Sequence, residues 1–115
     1  MRKKLILPLI LIAMVFALGF RAPRNAATAL AYYAVDTASS DTYVAQVNGI
    51  SSYQAGLFVL LNPVTANTDG ATLNINGLGA KAIEGQDGNA LTTNDILATG
   101  IYSMTYDGDN FLLQE

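Results

Sequence analysis

The chain contains no cysteine, no histidine and no tryptophan. Without cysteine there is no disulfide to staple a small fold and no thiolate to bind a metal or attack a substrate. Without histidine it lacks the commonest general base, and with cysteine also missing it lacks both of the commonest transition-metal ligands. Most hydrolase and redox-metal chemistries are thereby set aside. Positive charge is scarce too. Five of the six basic residues (Arg2, Lys3, Lys4, Arg21, Arg24) precede residue 25, which leaves Lys81 alone against all nine carboxylates. A domain so acidic repels nucleic acid and anionic lipid, so neither is expected as a partner of the part after residue 24.

The N-terminal part is an apolar run. Residues 5–20 carry no charge, Arg2-Lys3-Lys4 stands before them, and Arg21 and Arg24 come after. Two readings fit. One is a secretory signal peptide, for which Ala29-Leu30-Ala31 matches the small-residue cleavage pattern and Ala31 is the candidate cleavage position. The other is an uncleaved membrane anchor. Sixteen helical residues span roughly 24 Å, short of a hydrocarbon core of about 30 Å, and snorkelling by Lys4 and Arg21 would cover the difference. Either reading exports the C-terminal domain. The expected organisation is therefore a hydrophobic helical signal or anchor over residues 1–24, a linker over 25–31 and one domain over 32–115.

That domain reads as all-β. Strands are expected at residues 32–35, 42–47 and 57–61, then at 72–76 with a partner after the Gly77-Leu78-Gly79 reversal, and at 101–106 and 111–113. Between them lie turn clusters: residues 36–41 (DTASSD), Asn48-Gly49, Asn62-Pro63, Gln86-Asp87-Gly88-Asn89 and Asp107-Gly108-Asp109-Asn110. Leu73 and Ile75 alternate against Thr72, Asn74 and Asn76, and Gly77 and Gly79 supply positive-φ positions for a tight turn. Residues 91–97 read as a helical turn capped by Thr93 or Asn94, or as a loop. A small β-sandwich-like or meander module is the expected architecture. Leu57-Phe58-Val59-Leu60-Leu61 is apolar without alternation, which suits a strand buried on both sides. On a domain too small to cover it, the run becomes a candidate self-assembly surface.

The remaining polar motifs have plain readings. Asp107-Gly108-Asp109-Asn110 spaces carboxylates as calcium loops do but lacks their later ligands, so it reads as a turn in which Asp bonds its own backbone, as does Asp87-Gly88-Asn89. Gly77-Leu78-Gly79 lacks the third glycine and the following helix of a dinucleotide site. Ser39-Ser40 and Ser51-Ser52 have no histidine to activate them. Asp69, Glu84, Asp87 and Asp95 are spread over turns, with no tryptophan on which to stack a sugar. Most of the six tyrosines read as strand-edge or half-buried core residues. No catalytic residue, cofactor or metal is expected.

Residues from about 34 to 113 closely resemble the repeat module of bacteriophage tail fibres and related virion appendages. The resemblance is carried by Asn67, Gly70-Ala71-Thr72-Leu73-Asn74-Ile75-Asn76-Gly77-Leu78-Gly79, Lys81-Ala82-Ile83, Gly88, Leu91, Asp95-Ile96, Gly100, Tyr106-Asp107-Gly108 and Phe111. It implies a β-rich scaffold module in an elongated, usually trimeric fibre, with copies of itself and other appendage proteins as partners, and it brings no catalytic residue. Fibre proteins usually string several such modules and do not open with an export segment. The resulting expectation is a virion structural protein, spike- or fibre-like, acting in assembly or host attachment. The alternative is an exported cell-surface adhesin or carbohydrate-binding module.

Overall fold

The computed structural model describes residues 30–114. The hydrophobic segment over residues 1–24, with both of its readings, and most of the expected linker lie outside the described residues. Among those described, no helix is long and apolar enough to cross a membrane.

Seven strands form: β1 (Ala31–Val35), β2 (Thr42–Ala45), β3 (Phe58–Asn62), β4 (Ala71–Ile75), β5 (Ala80–Glu84), β6 (Tyr102–Tyr106) and β7 (Phe111–Leu113). Each coincides with a stretch of alternating or apolar residues bounded by Gly, Asn, Asp or Pro, as the sequence predicts. All seven belong to one sheet, in the order β1-β3-β6-β7-β5-β4-β2, which curls into a nearly closed barrel.

This corrects the expectation of a sandwich-like or meander module. A sandwich needs two sheets, and a meander pairs each strand with its sequence neighbour. Here only β4/β5 and β6/β7 are sequence neighbours paired antiparallel. β1/β3, β2/β4 and β5/β7 are parallel, and β3 meets β6 across a long connection. Parallel neighbours require a crossover, which here consists of loops and intervening strands.

The barrel closes at one end. Thr37 N donates to Val44 O (2.8 Å), joining the chain just after edge strand β1 to edge strand β2. The buried Asp36 holds the same corner: its Oδ1 accepts from Ala38 N and Val44 N (3.0 Å each), and its Oδ2 accepts from Val64 N (3.1 Å).

The interior is filled by the inward residues of each strand, among them Tyr43, Val59, Leu61, Leu73, Ile75, Ile83, Met104 and Phe111, with Ile96 added from a loop. Leu73, Ile75 and Ile83 are buried as their alternation requires. Each Leu-, Ile- or Phe-sized side chain removed from water contributes roughly 1.5–3 kcal/mol, which is how a module without disulfides holds together. Tyr53, Tyr106 and Phe111 pack as a trio with ring centroids 5.1–5.6 Å apart, Tyr53 edge-on to Phe111. Such aromatic pairs are stabilised beyond the area they bury.

The reversal between β4 and β5 lies at the predicted glycines. Asn76 (φ 55°) and Gly77 (φ 71°) are its central residues, and Leu78 N donates to Ile75 O across it. Positive φ at both central positions is the type I′ signature whose twist matches that of the flanking strands. Residues 91–97 form no helix. The Asp95 carboxylate folds back to accept from Thr92 N (2.7 Å) and Thr92 Oγ1 (3.3 Å), so neither Thr93 nor Asn94 is a cap.

Candidate functional site

The five residues of the candidate assembly surface do not share a face. Along β3 the burial alternates: Val59 and Leu61 are fully buried in the barrel, while Phe58, Leu60 and Asn62 face outward and are half-buried. Leu57 precedes the strand, half-buried against the core. The strand is thus covered fully on one side only, which corrects the reading of burial on both sides, and Val59 and Leu61 cannot take part in an outer surface. Apolar residues occupy both parities here because the outer side is apolar as well.

That outer side continues across the neighbouring strands. In the parallel register Tyr33 stands beside Leu60 and Ala31 beside Phe58. In the antiparallel register Leu60 stands beside Ser103 and Phe58 beside Thr105. Asn62 Nδ2 donates to the Tyr33 hydroxyl across the face (2.7 Å). Tyr33 is 51 % exposed and Val35 47 %. No outward residue of β1, β3 or β6 is charged. The cleavage candidate Ala31 is the first residue of β1, exposed and paired with Phe58.

Buried or half-buried polar side chains hold the long connections in place, and the sequence reading missed them. Asn67 is fully buried. Its Nδ2 donates to Asp69 O (2.7 Å) and Thr92 O (2.8 Å), and its Oδ1 accepts from Ile96 N (2.8 Å). Its own backbone exchanges two further bonds with Ile96 and Asn94. Asn76 does the same for residues 47–50: its Oδ1 accepts from Val47 N, and its Nδ2 donates to Val47 O and Ile50 O, all at 2.7 Å. The Tyr53 hydroxyl accepts from Ile75 N (2.9 Å) and donates to Gly79 O (2.7 Å). Asp41 sits at φ 70° and accepts from Thr68 N, Thr68 Oγ1 and Asp69 N. A buried amide with every hydrogen-bonding group engaged fixes a loop that apolar contact alone leaves free to slide. The available signal was an Asn or Asp flanked by turn residues, which sequence alone reads as a local turn.

The acidic turns bond themselves. Asp87 accepts from Asn89 N and Nδ2, and Asp107 accepts from Asp109 N and Asn110 N. These bonds hold both carboxyls below their ordinary range. The hydroxyl and backbone bonds from Thr68 do the same for Asp41. Asp87 and Asp95 line an open polar hollow of about 280 Å³ with Gly85, Asn89, Leu91 and Thr92. The other two acids of that set, Asp69 and Glu84, are not in it, and Glu84 accepts instead from Asn110 Nδ2 (3.2 Å). Among the described residues no group of three acidic side chains converges as metal ligands do. Two of the tyrosines depart from the strand-edge reading: Tyr43 is fully buried and Tyr106 nearly so. Desolvation, followed by the charges of Asp36 and Asp41, pushes the Tyr43 hydroxyl up to about 12.

Fold and braces together define a small all-β barrel module whose loops are pinned by internal amides and carboxylates. No protein-family model matches the chain, and no curated protein matches it.

Proposed function

We propose that this chain is a virion structural protein, a spike- or fibre-like appendage component that works in assembly or host attachment and performs no chemistry of its own. The observation that carries the reading is where the motif residues fall. The stretch most like the fibre repeat, residues 70–79, forms β4 and its type I′ reversal. Tyr106-Asp107-Gly108 and Phe111 form the β6/β7 hairpin, and Asn67 and Ile96 form the brace between connections. Motif residues that form a strand, a reversal, a hairpin and a brace support a mechanical role. Five loop-spanning bonds from two asparagine side chains, Asn67 and Asn76, support a rigid one.

The test is proteomic. Purified virus particles from the source host should contain the chain at a fixed ratio to the major capsid protein, and antibody to the β module should label the particle surface. Recovery only from envelope fractions of uninfected cells refutes the virion reading and supports an exported adhesin or carbohydrate-binding module.

A further inference from the structure

We infer that Asn48 is a site of self-modification, where the side-chain amide is lost to the backbone nitrogen that follows it, and that the fold blocks the same reaction at Asn76. The inference is independent of the role proposed above.

Asparagine precedes glycine twice in the chain, at Asn48-Gly49 and Asn76-Gly77. Glycine has no Cβ to shield its own nitrogen. That nitrogen, once it has lost its proton, attacks the asparagine Cγ. A C–N bond forms, closing a cyclic imide, and the bond from Cγ to the amide nitrogen breaks, releasing ammonia. Water then opens the imide at either carbonyl. One opening gives aspartate, and the other gives isoaspartate, in which the backbone runs through the former side chain. The reaction consumes only water and needs no catalytic residue.

The two dipeptides are alike in sequence and opposite in setting. Both lie in turns, and both glycines have positive φ, 96° at Gly49 and 71° at Gly77. The Asn76 amide is held on both sides: Oδ1 accepts from Val47 N, and Nδ2 donates to Val47 O and Ile50 O, all at 2.7 Å. Its Cγ reaches Gly77 N only after these three bonds break. Asn48 is exposed. Among the described residues no hydrogen bond engages its side chain, and Gly49 N donates no backbone bond. Nothing there resists turning the side chain onto the nitrogen.

The same turn gives the two products different consequences. Val47 and Ile50, on either side of Asn48-Gly49, are buried and are the two residues that the Asn76 amide clips. The Tyr32 ring lies against Gly49, where an added Cβ would stand 3.2 Å from its Cε1. Isoaspartate inserts an extra carbon into a backbone fixed at both sides, so it strains the turn. Aspartate keeps the backbone length and adds only an exposed charge.

The test incubates the full chain in mild non-ionic detergent at mildly alkaline pH, with a parallel sample in urea. Tandem mass spectrometry of its peptides reads the amide-to-acid mass gain at each asparagine. In the folded chain Asn48 should convert, and Asn76 should convert at least about tenfold more slowly, because three bonds must open first. In urea the two should convert at similar rates. Asn48→Gln should abolish the signal at that position in the folded chain, since the longer side chain closes a larger ring more slowly. Circular dichroism checks that the fold is kept. Folded Asn76 converting as fast as Asn48 overturns the proposal, and so does an Asn48 that is silent in the folded chain while it reacts in urea. Asn48→Asp should melt as wild type does, and aged wild type rich in isoaspartate should melt lower. Equal melting of the two would refute the claim that the clipped turn is strained by the extra carbon.

Discussion

Replacing Asn67 should be among the most damaging changes that leave the apolar core untouched. Its amide makes three hydrogen bonds, at 2.7–2.8 Å, to three different residues of two connections, and the side chain has no exposure to water. A net loss of about 0.5–1.5 kcal/mol per bond gives roughly 1.5–4.5 kcal/mol for Asn67→Ala. The Ile96 N–H is then left unpaired beside a fully buried side chain, which adds about 1–3 kcal/mol unless water enters the space left by the amide. A total of about 2.5–7.5 kcal/mol compares with roughly 4–13 kcal/mol for the whole stability of a unit this size. It should lower the thermal midpoint by more than about 10 °C. Asn67→Asp sharpens the test because it keeps the shape. It retains the acceptor for Ile96 N but turns two donations into an anion facing the carbonyls of Asp69 and Thr92. At neutral pH it should therefore be no better than Asn67→Ala, and acidification, which restores one donor, should partly recover it. Urea unfolding of the unit Ala31–Glu115 measures all three proteins. A loss below about 1 kcal/mol for both variants, or an Asp variant as stable as wild type at neutral pH, would refute the claim that this amide braces the loops.

Three further outcomes are expected in other parts of the barrel. Gly100→Ala should cost about 1–3 kcal/mol, because an added Cβ would stand 2.7–2.8 Å from the Tyr102 ring and hydroxyl, whose oxygen accepts from Leu97 N; thermal melts should show most of that cost disappearing in a Tyr102→Leu background. Asp41, Asp87 and Asp107 have carboxyls lowered from 3.8, so their stabilisation is complete above that value and is lost as pH falls through the lowered ones; melts across the acid range should show this decline, and Asp41→Asn should make it shallower. Tyr43 is raised from 10.0 to about 12, so its contribution is complete below 10.0 and is lost as pH rises from there towards 12; Tyr43→Phe should flatten that alkaline limb in pH-dependent melts, at the cost of the bond to Thr65 O.

The strands and the sharpest reversal of this protein are legible in short stretches of its sequence. Alternation along residues 71–75 and 102–106, and the positive φ of Gly77 and Gly79, are properties of a few adjacent residues, so their physics is local; Asn76, expected as the last residue of the strand, instead takes the first central position of the turn at φ 55°. The same holds for the turn chemistry of Asp87 and Asp107, whose bonds reach only two or three residues along the chain. Which strand lies beside which is settled only when the whole domain has assembled. Alternation marks one face of a strand for burial but carries no information on its neighbour, so three parallel pairs stand where a sandwich or meander was the expectation. The same limit split residues 57–61 into a buried pair and an outward pair, since an apolar run reads alike whether its outer side meets more core or faces a surface. The braces were out of reach for a related reason. Asn67 joins partners 25 and 29 residues away, and a hydrogen bond spanning that distance exists only once the sheet has brought both connections to one place.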